Sequence, residues 1–229
     1  MNIFNDLLPF WLNLVLIGLA LGGLVIGGRF ANWRFFLSNT GQHVFLGSIV
    51  IVAFFWELEI SIRAGLALHL LGATLITRLL GGGLSLFALT IVLIFHTIYH
   101  EQYQSAIALN QLILVAWPVL VASCTQLIQD KWLPKNLFIY LLGGGFLTAA
   151  ISFASSGLLA VIALGSLGAY SFDYLLTEFL PYWLLLSWAE AFQTGFLLTL
   201  MVIYKPEWVS TFVDTKYFGP KRSIWKDKP

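Results

Sequence analysis

The stretch LFIYLLGGGFLTAAISFASSGLLAVIAL, residues 137–164, contains no Asp, Glu, Lys or Arg. It exceeds the roughly 20 apolar residues that an α-helix needs to cross a lipid bilayer. Its Gly, Ala and Ser residues permit close contact between helix backbones, which is typical of helices inside a membrane bundle. The whole chain is 59% hydrophobic and only 10% charged, whereas soluble domains carry about 25% charged residues. The sequence therefore predicts a polytopic membrane protein in a lipid bilayer.

Other apolar runs extend this prediction to an all-α bundle of about seven transmembrane helices. The predicted spans are 8–27, 43–60, 64–80, 82–99, 107–128, 137–164 and 182–204. Glycines 81–83 predict a tight hairpin between the third and fourth spans, and the seventh span is predicted to begin after Pro181. Residues 1–204 are predicted to form a single transmembrane domain, followed by a basic cytoplasmic tail at 205–229.

The distribution of basic residues predicts the orientation of these spans. With the amino terminus outside and the carboxyl terminus in the cytoplasm, all but one of the 12 Lys and Arg residues lie inside. The exception is Arg63. Such an asymmetry is the positive-inside pattern of membrane proteins.

Three histidines are candidate metal ligands. His69 lies within the predicted third span, and His96 and His100 lie at the predicted outer end of the fourth. A spacing of four residues puts His96 and His100 on one helix face, and Glu101 offers an oxygen nearby. Imidazole binds Zn, Cu, Fe and Ni. The alternatives are interfacial histidines that reach the lipid headgroups and, for His69, a structural hydrogen bond.

Three carboxylates also stand out. Glu59 is spaced four residues from Arg63, which suits a local ion pair beside Glu57 at the outer interface. Glu190 lies about 12 Å into the last span at a rise of 1.5 Å per residue. An ionisable group at that depth predicts a functional site or a bond within the bundle, because contact with lipid is costly. We therefore expect Glu190 to face the interior and to bond to a neighbouring helix.

Several function classes are not indicated by the sequence. It has no P-loop, so the chain is not predicted to hydrolyse ATP, and it lacks the G-x-S-x-G, H-E-x-x-H and C-x-x-C motifs. We expect no enzyme activity, no organic cofactor and no nucleic-acid partner. A haem would require paired histidines on two spans, but His69 and His96 are predicted to lie at different depths.

Two stretches resemble a known family. HLLGATLITRLLGG (69–82) is similar to the histidine-led, small-residue motif of the CbiM/NikM family, and EAFQTGFLLTLMVIYKPEWV (190–209) is similar to the closing motif of that family. These proteins are the substrate-binding membrane components of energy-coupling factor transporters for cobalt and nickel. The chain resembles most a divergent proteobacterial branch. The family's Gly- and Asp-rich loop after the fourth span is replaced by HTIYHEQYQSAIALNQ (96–111).

The resemblance implies a metal site. In the family, the terminal amine, the nitrogens of the second residue and the motif histidine form a nearly planar site, which corresponds here to Met1, Asn2 and His69. The family begins Met-His-Ile, whereas this chain begins Met-Asn-Ile, so one imidazole ligand is missing. His96 or His100 is a candidate to replace it. The alternative is that the metal function is lost.

Three functions follow from these observations. The first is a permease component in the bacterial inner membrane that captures a divalent transition metal such as cobalt or nickel. The resemblance implies that it works with a transmembrane coupling protein and ATPase subunits. The second is a structural or accessory subunit of a larger membrane complex with a degenerate metal site. The third is a haem- or metal-dependent membrane oxidoreductase.

Overall fold

The computed structural model describes residues 9–63, 66–100, 104 and 106–218. Within these residues the chain is a bundle of α-helices, and six of the helices are long and apolar enough to cross a membrane. The predicted all-α polytopic membrane fold is therefore confirmed. A two-stranded antiparallel hairpin, which the sequence analysis did not predict, is added to the bundle.

The described elements follow one another in a simple order. The helices are α1 (Phe10–Phe30), α2 (Trp33–Phe36), α3 (Asn39–Glu57), α4 (Ala73–Leu80), α5 (Gly82–Tyr99), α6 (Ile107–Trp132), α7 (Ile139–Ser166), α8 (Phe172–Tyr204) and α9 (Asp214–Phe218). The strands β1 (Ile60–Arg63) and β2 (Leu66–Leu68) form the hairpin between α3 and α4. A 3-10 turn, Pro206–Trp208, and α9 follow α8, and the rest of the predicted basic tail lies outside the described residues.

Contacts between helix ends fix how the chain passes through the bundle. Glu57 at the end of α3 contacts His96 near the end of α5, so these two ends lie together. We call this the histidine end of the bundle. α5 therefore starts at the opposite end, where Gly83 lies against the backbone of Gly27 and Ala31 near the end of α1. The chain between α3 and α5 must cross from one end to the other.

This crossing corrects the predicted third span, because residues 64–80 do not form one helix. The segment consists of β2, an extended stretch and α4. α4 has eight residues and is about 12 Å long, which is short of the hydrocarbon core of about 30 Å. The six long helices and this composite segment correspond to the seven predicted spans, and an odd number of membrane passes stays a prediction. The Gly81 turn between α4 and α5, with φ of 79°, forms the expected hairpin.

The last helix also differs from its predicted bounds. α8 begins at Phe172 and continues through Pro181, where the sequence suggested a start. Proline lacks the N–H that an α-helix requires in its interior. A widened π-helical turn, Leu175–Phe179, precedes Pro181, and the turn Gln111–Ala116 precedes Pro118 in the same way. Such turns absorb the missing hydrogen bond and let the helix continue.

Small residues bring α7 and α8 into contact. The indole ring of Trp183 lies directly over Gly157, where a side chain would collide with it. The indole also stacks on Phe153, with ring centroids 4.3 Å apart, and its Nε1 donates to the Phe153 carbonyl at 2.7 Å. The small residues of this segment therefore permit the close helix contact that the sequence predicted.

The end of the bundle opposite the histidine end is built around Arg78 in α4. Its side chain is fully buried, although the sequence analysis counted it among the cytoplasmic loop charges. The guanidinium donates to Gln129 Oε1 at 3.1 Å and lies 5.5 Å from the centre of the Tyr140 ring. The Thr211 hydroxyl donates to the Arg78 carbonyl at 2.7 Å. These contacts attach the chain beyond α8 to α4.

The contact between α1 and α5 predicts that Gly83→Ala destabilises the bundle. The added methyl would collide with the backbone of α1, and overpacking typically costs about 1–3 kcal/mol. Gly47→Ala in α3 is the matched control, because no atom lies within 4 Å of the added carbon. Thermal unfolding in detergent should show a lower midpoint for Gly83→Ala only. Equal midpoints for the two variants would contradict this interface.

The predicted odd number of passes, together with the distribution of basic residues, predicts that the two termini lie on opposite sides of the membrane. A fluorescent protein fused after Pro229 should fluoresce, because it matures in the cytoplasm. An alkaline phosphatase fused at the same position should be inactive, because that enzyme requires the oxidising exterior. The reverse pattern would overturn the predicted orientation.

Candidate metal centre

The centre of the site is the extended stretch between β2 and α4, which carries His69. It lies inside the bundle, where His69 and Leu71 are buried. A stretch without helical hydrogen bonds leaves backbone N–H groups unpaired, and at membrane depth the protein itself must satisfy them. The stretch ends at Gly72, whose φ of 67° lies in the left-handed region that glycine adopts without strain.

Glu190 in α8 satisfies two of these N–H groups. Its Oε2 accepts from the Leu71 N–H at 2.9 Å, and its Oε1 accepts from the Gly72 N–H at 2.8 Å. Trp56 Nε1 donates to the Leu71 carbonyl at 3.2 Å from the other side. The expectation that Glu190 faces the bundle interior is confirmed, but its partners lie in the stretch before α4 and not in a helix. Glu190 thereby holds the stretch beside His69.

The two nitrogens of the buried His69 ring differ, because one is hydrogen-bonded and the other has no hydrogen-bond partner among the described residues. Nδ1 donates to the Leu70 carbonyl at 3.2 Å, and Nε2 has no hydrogen-bond partner among the described residues. The bond at Nδ1 leaves the proton on that atom and the lone pair on Nε2. Metal-binding histidines are commonly oriented in this way by a carbonyl that accepts from the other ring nitrogen. The Trp56 ring, 4.8 Å away between centroids, covers one side of the imidazole.

His96, His100 and Glu57 form a compact group at the histidine end. Glu57 Oε1 lies 3.2 Å from His96 Nδ1, and Oε2 lies 3.2 Å from His100 Nε2. One possible ligand atom from each of the three residues lies within 4.8 Å of the others. His96 is only 2% exposed, so the alternative that it reaches the lipid headgroups is wrong. Imidazole and carboxylate together bind first-row transition metals.

His69 and His96 are neighbours, which corrects their predicted difference in depth. Their ring centroids are 6.1 Å apart. The prediction was wrong because it treated residues 64–80 as a helix, whereas an extended stretch carries His69 to the end of α5. The argument against haem from the different depths of the two histidines therefore does not hold.

The other predicted site residues lie outside this description. Met1, Asn2 and Glu101 are not among the described residues, and neither is the Arg63 side chain that the predicted Glu59 ion pair requires. α1 runs antiparallel to α5, so its first residue, Phe10, lies toward the histidine end. Glu59 Oε2 lies 3.7 Å from His96 Nε2.

A cavity of about 370 Å³ lies on the opposite side of the extended stretch, between α3, α4 and α8. Its wall includes Val52, Leu71, Leu75, Leu197 and Met201. His43, Ser48 and Gln193 also line the cavity. Among the described residues, a group of three possible metal ligands within 4.8 Å of one another is found at the histidine end.

The sequence analysis missed two contributions to the site. Glu57 was expected to belong to a local clamp, yet it joins His96 and His100 across two helices. Glu190 was recognised as unusual, but its partners, the backbone N–H groups of Leu71 and Gly72, carry no sequence signal. One sequence signal could have found Glu57. It lies near the end of its predicted span, and the histidine pair lies at the end of another span on the same predicted side of the membrane.

Comparison with known proteins gives one match. The family model CbiM, described as cobalt uptake substrate-specific transmembrane region, matches residues 2–208. No curated protein and no solved structure matches the chain. The match covers nearly the whole bundle, including both motifs on which the resemblance rests.

The contact of Glu190 with the backbone predicts that Glu190→Gln loosens the stretch beside His69. An amide has only one oxygen, so one buried N–H loses its acceptor, which costs about 1–3 kcal/mol. Hydrogen–deuterium exchange at residues 69–73 should accelerate, and the thermal midpoint should fall. Glu178→Gln, a change of an exposed carboxylate at the start of α8, is the control. Unchanged exchange at 69–73 would show that the contact does not hold the stretch.

Proposed function

Because this chain belongs to the CbiM family of cobalt uptake substrate-specific transmembrane proteins, we propose that it captures a divalent transition metal ion at the histidine end for uptake across the bacterial inner membrane. The family is one of transport components and not of enzymes. The ion is the substrate of this transport. Cobalt is the first candidate, and nickel is the second.

The observation that carries this proposal is the arrangement of His69. Its Nε2 is buried and has no hydrogen-bond partner among the described residues, while its Nδ1 is bonded to a backbone carbonyl. A buried polar atom without a hydrogen-bond partner costs free energy. Such an atom is therefore expected where a bound ligand becomes its partner. Glu190 holds the backbone of the same stretch, which limits the positions of the ring.

The resemblance implies the remaining ligands. They are the terminal amine of Met1 and the backbone nitrogen of Asn2, which with His69 give three nitrogens. The Asn2 side chain is a neutral amide and a poorer ligand than imidazole for Ni or Co. We propose that His96 or His100 supplies the missing imidazole, because His96 lies beside His69.

Transport requires energy that this sequence does not encode, because it contains no P-loop. We propose that a transmembrane coupling protein and ATPase subunits supply it. The surface of α1 supports docking of another helix. Its exposed face carries Leu14, Leu21 and Val25, and no atom lies within 4 Å of the position of a side chain at Gly18 or Gly22. Glycines four residues apart on an apolar helix permit close contact with a partner helix.

Metal titrations of four forms of the protein test the proposed function. The wild type should bind Co(II) or Ni(II), and His69→Ala should remove the high-affinity binding. Asn2→His should strengthen the binding about tenfold or more, because it restores an imidazole, and each factor of ten equals about 1.4 kcal/mol. His43→Ala is the matched control, because His43 lies at the start of α3, far from the site, and bonds to its own helix.

The same titrations separate the proposed function from its alternative. If the wild type binds neither ion and Asn2→His gains no affinity, metal capture is wrong. The chain is then an accessory subunit whose metal site has degenerated. Isothermal titration calorimetry of the purified protein in detergent, with an unmodified amino terminus, measures all four forms.

A further inference from the structure

We propose that Glu57, His96 and His100 form a second metal site, which receives the ion from outside and passes it inward to His69. We call these three residues the mouth site. The proposal rests on the proposed function, because it assumes that the ion is taken up at the histidine end. It adds a carboxylate ligand that neither the sequence motifs nor the resemblance assigns.

The distances within the mouth site suit a single ion. Zn²⁺ binds nitrogen and oxygen ligands at about 2.1 Å, so two neighbouring ligands of a tetrahedral ion are about 3.4 Å apart. The two oxygens of Glu57 each lie 3.2 Å from an imidazole nitrogen, one of His96 and one of His100. One ligand atom from each of the three residues lies within 4.8 Å of the others, so side-chain rotations that shorten the longest separation by about 1.4 Å would let all three bind one ion. The ion would displace the protons that these nitrogens and oxygens now share, because metal-bound atoms must be deprotonated.

The exposure of the three side chains decreases toward the interior. Glu57 is 43% exposed, His100 is 28% exposed and His96 is 2% exposed. A hydrated cation can therefore meet the carboxylate first, and the negative charge of Glu57 attracts it. The imidazoles then replace water as ligands while the ion moves toward His96.

His69 is the next ligand along this path. Its ring centroid lies 6.1 Å from that of His96 and its Nε2 has no hydrogen-bond partner among the described residues. An ion that moves from the mouth site to His69 therefore crosses only about the distance between the His96 and His69 rings. His96 contacts both His69 and His100, since its ring is also 4.6 Å from that of His100.

The mixed ligand set also affects which ion enters. Nitrogen-only planar sites favour Ni(II) and Cu(II), whereas imidazole with carboxylate suits Zn(II) and Co(II), which accept tetrahedral or octahedral geometry. The mouth site is thus not restricted to ions that favour square-planar geometry. We expect the usual order of affinity to hold there, in which Ni(II) exceeds Co(II).

Binding of CoCl₂ to the full chain in lipid nanodiscs tests the mouth site. The double variant Glu57→Gln/His100→Gln removes two ligands, both partly exposed, and leaves the buried His96 in place. Its matched control is Glu207→Gln/His43→Gln, which changes the same residue types at the opposite end, where Glu207 is exposed. His69→Ala is measured in parallel. Bound cobalt is counted by elemental analysis after equilibrium dialysis, and loading is followed by stopped-flow absorbance of Co(II).

We expect the wild type and the control to bind one tight equivalent of Co(II) and a second, weaker equivalent that competes with it for His96. The double variant should bind one equivalent and load it at least tenfold more slowly. His69→Ala should lose the tight equivalent and keep the weaker one, whose absorbance should indicate mixed nitrogen and oxygen ligands.

Two results would overturn the mouth site. If the double variant matches the wild type in equivalents and rate, while His69→Ala loses all cobalt, the mouth site is wrong and the proposed function stands. If the wild type binds neither cobalt nor nickel, both are wrong. Size-exclusion profiles identical to that of the wild type show that the variants remain folded.

Discussion

The two hydrogen bonds from the Leu71 and Gly72 N–H groups to Glu190 are the contact on which the rest of the site depends. An extended stretch inside a membrane has no water to satisfy its backbone, so it is stable only where protein atoms replace the missing helical acceptors. One carboxylate provides two acceptors at once. This allows the chain to leave the helical conformation between β2 and α4, and it gives the His69 ring a fixed backbone from which to project.

The short helix α4 transmits this constraint to the other end of the bundle. Its first turn follows the stretch held by Glu190, and its last turn carries the buried Arg78. Arg78 contacts Gln129 and Tyr140 and accepts a hydrogen bond from Thr211 at its carbonyl. A rigid element about 12 Å long thus connects the candidate metal centre with the chain beyond α8. This element offers a direct physical connection between the two ends of the bundle.

The histidine end combines a feature that the resemblance implies with one that is particular to this chain. His69 occupies the position of the family's motif histidine, and its free lone pair suits that role. The imidazole at residue 2 is absent, and a pair of histidines with Glu57 stands close by on two other helices. Exchanging one imidazole for a group of imidazole and carboxylate ligands would change the coordination geometry that the site favours.

The sequence alone determined the membrane class, the long spans, the hairpin at Gly81 and the candidate ligand His69, because these depend on local composition and spacing. The tertiary structure decided that the third crossing is partly extended and that His69 and His96 are neighbours. Hydropathy measures whether a segment can be buried, and it does not distinguish a helix from a stretch whose N–H groups bond elsewhere. The acceptor here is Glu190, 119 residues away from Leu71, and only folding brings the two together.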